Sequence, residues 1–555
     1  MTLPKRLLLF VSLLFVSAPL WKAEELSLLG HGLFIRTDAF VSFGLSLLFA
    51  LMVQAWLPNN VLSALEKVLI WAKSKVNILT VVLLVFVLAG LILINKLVLH
   101  SFLSSADEHS CYFLAECLRI KKLWVASPPL SEFFNVVHVG NRDGKWFSVY
   151  PPGWPLIWAV GISLNIANYL NPFMAVLSLV FFYLAVQKVF EKSVATIGIF
   201  IVSFAPFFMF TSASYFSHTT CLLMISVFLY GYVNYASAKS EKERFGWAIL
   251  IATSIGYGLM TRYLTMAAIA APVLVYELWQ RLKSKTWRKT DTLIVIILGF
   301  FAALILYQNW SVTGNWFKAP NKYDKSWERL GFRKNYTPLD GLIMIISRFF
   351  YLSDWFSPIL IFLFFSALFS KRSSNFIQRL FRWGFFYSVI AYFFYYSWGG
   401  GQYGPRYYYE GFLFMGSTLG DGIVHWWKTG NVVLKKFIVG AILASLISNA
   451  YLFYKQSEFF QEVSFQRKSL YELAEKTIKR EAIVFIQGHL GKRLIMTQED
   501  TVRNHPLLNT KILYAHDLGD KNKELMQVYP NREYYMGFYD SEASLPVLQK
   551  LSSKL

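Results

Sequence analysis

Three cysteines in 555 residues exclude a disulfide framework. Cys111 and Cys117 stand six positions apart, on different faces of a helix, so two free thiols are expected. Charge is also scarce. Asp, Glu, Lys and Arg make up only 16% of the chain, too few for an ordinary soluble globular protein. Acid is the scarcer sign, 33 residues against 54 basic, and there is no internal repeat or low-complexity segment. Apolar residues are abundant: 55% of the chain is hydrophobic and 18% aromatic, in runs of about 15 to 24 residues. Such a chain reads as a polytopic, all-α membrane protein.

The formal charge of +21 does not call for a nucleic acid. Segments 1–6, 58–75, 187–193, 236–246, 280–291, 371–383 and 425–436 hold 22 Lys and Arg against five acids. Residues 456–555 are near neutral, with 14 basic and 13 acidic residues. The excess therefore sits in short loops between apolar runs, where it marks the cytoplasmic side.

Thirteen candidate spans follow, at roughly 7–20, 39–57, 76–98, 172–190, 194–212, 216–235, 246–261, 263–279, 292–308, 356–370, 384–398, 406–424 and 437–455. With Lys5 and Arg6 inside, every basic loop falls inside. Loops 99–150 and 309–355, the "GGGQYGPRYYYE" turn and the C-terminal region fall outside. This requires that 151–170 lie against the membrane rather than cross it, which its opening prolines favour. The start "KRLLLFVSLLFVSAP" has the form of a secretory signal, but Pro19 after Ser17-Ala18 makes a poor cleavage site, so a retained helix is expected. Residues 456–555 read as a small extracytoplasmic α/β domain, with "AIVFI" and "KILYA" as strands and "SLYELAEKTIKR" as an amphipathic helix.

Chemistry concentrates at the outer ends of spans. Asp107 and Glu108 follow directly on the apolar run Val76–Val98, about 35 Å long as a helix. They read either as a helix end, with Asp107 an N-cap, or as a base and its partner at a membrane-level cavity. His218 opens a span, and Arg262 stands between two spans with no nearby acid in sequence. An arginine there either snorkels to the interface or faces an anion. Asn309, Thr313 and Gly314 form a helix-exit turn. Tyr150 opens "YPPGWP", while Tyr403 and Arg406 lie in the glycine- and tyrosine-rich turn. One or two guanidinium groups beside a carboxylate suit a phosphorylated lipid and a proton-donating nucleophile.

The order of these features resembles the GT-C class of bacterial membrane glycosyltransferases, the protein O-mannosyltransferase and aminoarabinose transferase group in particular. The features are the acidic pair, "YPPGWP", an outer His after "SYFS", an Arg at a later span, "TGN" and "GPRY". The resemblance covers roughly 76–455 and implies a GT-C-like catalytic domain there, preceded by extra N-terminal spans in 1–75. It implies a polyprenyl-phosphate sugar as donor and an acceptor hydroxyl on protein, lipid or glycan. Transfer would be inverting, at the outer face of the cytoplasmic membrane. Asp107 would be the general base with Glu108 its positioning partner or a cation ligand, and Arg262 and Arg406 would hold the phosphate. His218, Tyr150 and Tyr403 would complete the substrate site. His109, His138 and His218 could assist or bind a metal with the acids, but their spacing matches no standard site and no dedicated metal is expected. The alternative from another class is a transporter or lipid or polysaccharide flippase, which would carry polar or broken helices at mid-membrane and internal repeats. A scaffold with a decayed site is a third reading.

Overall fold

The computed structural model describes residues 26–28, 31–33, 37–323, 330–334, 336–370, 374–397, 402–487, 502–540 and 545–551. The candidate span 7–20 and the three glycines Gly399, Gly400 and Gly401 lie outside the described residues. Among those described, seven helices are long and apolar enough to cross a membrane. The count is eight if Lys192–Ser203 and Pro206–Ala213, bent by 70° at their junction, form one span. The protein is a multi-pass, mostly helical membrane protein.

Polar contacts sort the helix ends into two groups. At one end Arg281 pairs with Asp291 (2.9 Å), Arg382 with Asp421 (3.0 Å), Lys428 with Glu191 (2.7 Å) and Lys435 with Glu66 (2.9 Å). Described residues of five basic segments, 58–75, 187–193, 280–291, 371–383 and 425–436, meet in these contacts, and segment 236–246 lies between Tyr230 and Trp247, which stack edge-on. At the opposite end stand Asp107, Tyr150, His218, Arg262 and Arg406.

The helix α1 (Thr37–Trp56) packs along the last long helix, α16 (Val432–Thr477), so closely that a Cβ on Gly440 would lie 2.8 Å from the Ala50 backbone. An amphipathic helix, α2 (Asn59–Ser74), connects it to α3 (Val76–Leu93), which continues helically to Val98. The first outer loop then forms helix α4 (Ala106–Arg119) and a hairpin of strands β4 (Val139–Arg142) and β5 (Lys145–Ser148). The hairpin turns at Asp143-Gly144, both with positive φ, as a two-residue hairpin loop requires.

Helix α5 (Gly153–Ser163), 11 residues long, falls short of the about 20 residues that cross a bilayer core. Its start abuts Met260 and Thr261, and beyond its end Asn171 donates to the carbonyls of Ser214 (2.6 Å) and Phe216 (3.0 Å), so both flanks lie at the site end. The stretch Glu241–Ser284 is a helical hairpin, α10. Tyr230 meets Trp247 and Tyr232 donates to Glu277 (3.0 Å), two positions thirty residues apart in α10 that touch the same turn of α9 (His218–Ser237). A straight helix would separate them by about 45 Å. The reversal falls at Arg262, whose φ of −148° and ψ of 83° leave the helical region.

The 46-residue α16 rises from the basic end past the site end without a break, so "SLYELAEKTIKR" is largely its continuation rather than a separate helix. It ends under a four-stranded sheet. Strand β6 (Ala482–Ile486) is parallel to β7 (Ile512–His516) and β8 (Glu533–Tyr539), and β9 (Pro546–Lys550) is antiparallel to β8. Every residue of "AIVFI" is buried, as a central parallel strand demands. The sheet shares one apolar core with the first outer loop, where Phe133 meets Phe485 edge-on and Phe113 meets Trp146.

Candidate functional site

The local sequence Ser-Ala-Asp-Glu at 105–108 starts α4 with a capping box. Ser105 Oγ accepts from Glu108 N (3.2 Å), and Glu108 Oε2 accepts from Ser105 N (3.1 Å). Glu108 Oε2 also accepts from Ser104 N (2.7 Å), and Oε1 accepts from Tyr215 N (2.9 Å). Three backbone donors thus hold this buried carboxylate, which does not line the cleft described below. The cap is Ser105, not Asp107, and Glu108 ties the start of α4 to the backbone at Tyr215.

Asp107, one position earlier, points the other way. Its Oδ1 accepts from the Tyr150 hydroxyl, and its Oδ2 lies 3.5 Å from Arg406 Nη1. Arg406 reaches it from a turn shaped by Gly404, whose φ is +92° and whose Cβ, if present, would lie 2.7 Å from the Phe207 ring. Only glycine fits there. The guanidinium is buried over the Phe216 ring (4.1 Å), which keeps it desolvated and its charge effective.

A second charged group lies beside the first. Arg262 Nε is 3.0 Å from Glu410 Oε1, and Nη2 donates to the Tyr392 hydroxyl (3.1 Å). His218 Nδ1 lies 3.1 Å from the same Glu410 oxygen. Glu410 is fully buried, and its Oε2 has no hydrogen-bond partner. No acid near Arg262 in sequence signals this pair, because the partner lies 148 positions further on, four residues after Arg406. An ionisable residue at the start of an apolar span was the signal available. The buried Arg348 is likewise unsignalled; this residue donates to the carbonyls of Tyr392 (3.1 Å) and Ser397 (2.5 Å) and fixes the chain end that presents Tyr392.

These groups meet in one partly open cleft, with Asp107, Tyr150, His218, Arg262 and Arg406 in its walls beside Tyr392 and Tyr407. The structure therefore brings together five of the seven sequence candidates. Tyr403 does not join them. It is 1% exposed and packs behind the cleft among Phe210, Phe216, Trp355 and Phe460, while Tyr407 of the same turn lines the wall. His109 is buried away from the cleft, and His138 stacks edge-on to Tyr150 (5.6 Å). Asn309, Thr313 and Gly314 form an ordinary helix exit, with Thr313 donating to Asn309 O (2.7 Å).

Burial opposes the charged form of Asp107, but Arg406, then His138, the Tyr150 hydroxyl and Arg262 outweigh it and hold the carboxyl down at about 2. Glu108 is shifted the opposite way, raised by burial that its backbone donors only partly offset. Burial lowers His109 to about 3, so it is neutral at physiological pH. The cleft thus offers an ionised carboxylate beside two cations. Among the described residues, no three His, Cys, Asp or Glu side chains converge as a metal site would require. All three cysteines are free and buried.

Comparison with known proteins bears on this arrangement. The family model for dolichyl-phosphate-mannose-protein mannosyltransferase matches residues 157–308, which include His218 and Arg262 but neither Asp107 nor Arg406. The fold is similar to that of ArnT from Cupriavidus metallidurans bound to undecaprenyl phosphate, at a TM-score of 0.53 and 14% identity, over 85% of this chain and 97% of that one. The apo state of the same protein matches at a TM-score of 0.53 and 13% identity, over 87% and 99%. No curated protein matches in sequence. The chain shares the fold of ArnT over most of its length, in line with the resemblance drawn from the order of its motifs.

Proposed function

From that fold and that cleft, we propose that the chain is an integral-membrane glycosyltransferase. It moves a sugar from a polyprenyl-phosphate donor to an acceptor hydroxyl. The observation that carries this reading is the shared cleft of Asp107, Arg406 and Arg262. Undecaprenyl phosphate, seen with the similarly folded ArnT, is a ligand of the class the two guanidinium groups suit.

In the proposed reaction Asp107 takes the proton of the acceptor hydroxyl. The acceptor oxygen forms a bond to the anomeric carbon from the face opposite the phosphate, the carbon–oxygen bond to phosphate breaks, and its electron pair stays on the lipid phosphate. Inversion follows from that geometry. Arg406 and Arg262 stabilise the departing charge, and the Tyr150 hydroxyl fixes the carboxylate. A phosphate leaves without a strong general acid, so positioning and charge supply most of the acceleration. Arg406 is the counter-ion of Asp107 in the structure; on turning to the donor phosphate it leaves Asp107 more basic when a base is needed.

The basic end faces the cytoplasm under the positive-inside rule, which places the cleft and residues 456–555 on the extracytoplasmic face of the cytoplasmic membrane. Residues 76–455 form the catalytic unit, with 1–75 an added region whose helix α1 packs along α16. One feature favours a transporter instead: the 70° break at Ser203–Pro206 resembles a discontinuous transporter helix. A single experiment separates the two. Membranes containing the protein and a labelled polyprenyl-phosphate sugar should yield labelled acceptor, and Asp107→Asn at normal expression should abolish it. Full transfer by that variant removes Asp107 as the base, and movement of labelled lipid without transfer favours the transporter.

A further inference from the structure

Residues Leu103–Ser105, which lead into the cap of α4, have their backbone groups bound by three distant parts of the chain. The Leu103 carbonyl accepts from Arg503, which lies between the sheet strands β6 and β7 and whose guanidinium covers the Phe102 ring at 4.5 Å. The Ser104 carbonyl accepts from Arg467 on the upper part of α16 and from Gln402 Nε2 (2.7 Å), two residues before Gly404. Ser104 Oγ and Ser464 Oγ are 3.1 Å apart, also buried. Ser104 N and Ser105 N donate to Glu108. Asp107 follows three residues after Ser104.

We propose that the C-terminal region positions the Asp107 carboxylate, with Arg467 and Arg503 as the positioning residues. This rests on the reading of Asp107 as the base. The apolar core between the sheet and the first outer loop already docks the two. The guanidinium bonds do something that core does not: they fix the backbone of the short stretch that sets where α4 begins. Bonds from a charged donor are shorter and stronger than neutral ones, and two successive carbonyls held from one side leave the stretch little freedom to slide or rotate. Asp107 occupies the second position of α4, so a shift of its start moves the carboxylate by the same amount. A displacement of about 1 Å at a reacting group costs on the order of a hundredfold in rate. Gln402 ties the same carbonyl to the turn that carries Arg406, so base and phosphate ligand are registered to one point.

The test uses the full chain in detergent or liposomes, with Arg467→Gln, Arg503→Gln and the double variant. Transfer from a polyprenyl-phosphate sugar should lose roughly tenfold or more in kcat in the double variant, with the donor KM changed by less than about threefold. Arg467→Lys, which keeps a charged donor, should recover part of the loss. Hydrogen–deuterium exchange over 103–110 should show lost protection in the double variant, whereas Asp107→Asn should keep protection while losing transfer. Unchanged protection in the double variant overturns the proposal. So does lost protection with kcat intact, or a loss confined to KM. If the double variant does not fold, Arg503→Gln alone is read by the same criteria. If the wild type transfers no sugar, the glycosyltransferase reading fails, while the exchange measurement still decides whether the two arginines hold the loop.

Discussion

The Arg406 guanidinium and the Asp107 carboxylate, 299 positions apart in the chain, lie 3.5 Å from one another in the wall of a cleft that Arg262 enters from a third part of the fold. The two opposite charges balance one another. The consequence is that the carboxylate is a weak base until something replaces it at the arginine.

That relationship sets a pH dependence. The folded pKa of Asp107 lies near 2, below its ordinary 3.8, so its ionised form contributes stability above about pH 4 and loses that contribution as pH falls through about 2. In the free protein no acid limb from Asp107 should appear in kcat/KM at any pH down to about 4. In the donor complex Arg406 is engaged by phosphate, so the acid limb of kcat should lie at higher pH than that of kcat/KM. Arg406→Gln should raise the limb of kcat/KM towards the ordinary carboxylate range. Coincident limbs in the two profiles would argue against the exchange of partners.

Glu410 predicts a different response. Its side chain is 0% exposed against 23% for Asp107, and it faces Arg262 and His218. Glu410→Ala leaves the buried Arg262 charge without its counter-ion, a loss of about 3–5 kcal/mol for such pairs. The melting temperature in detergent should fall well below that of the wild type. Equal melting temperatures would place Glu410 outside the structural core of the cleft.

Gly404 can be tested against an internal control. Gly404→Ala meets both a φ of +92° and the Phe207 ring, whereas Gly314→Ala meets a φ of +73° in open space. The second should cost about 1 kcal/mol and leave transfer unaffected. The first should cost more, about 1–3 kcal/mol, and raise the donor KM severalfold, because it displaces the turn carrying Arg406. Thermal denaturation and steady-state kinetics of the two variants check this.

The parts of the site legible in sequence were those fixed by side and order. Basic loops place span ends, and that sufficed to bring Asp107, Tyr150, His218, Arg262 and Arg406 to one level of the protein. Contacts within that level depend on how helices pack, and no periodicity reports it. Glu410 lay four residues beyond Arg406 and went unassigned because nothing local ties it to Arg262. Glu108 carried a readable signal, the Ser-x-x-Glu box, that the eye-catching acidic pair obscured. Tyr403 and Tyr407 share a turn without regular structure, so which of them faces the cleft was not decidable from spacing. The C-terminal strands were legible because β6 is uniformly apolar; the unbroken run of α16 into that region was not, since its composition changes from apolar to polar midway.

The most direct measurement is an experimental structure of the protein with a polyprenyl phosphate bound. The phosphate should lie within hydrogen-bond distance of Arg406 and Arg262, with Arg406 turned from Asp107 and the carboxylate open to an incoming hydroxyl. A phosphate bound away from both arginines, or one separated from Asp107 by a helix, would contradict the assignment of this cleft as the site of sugar transfer.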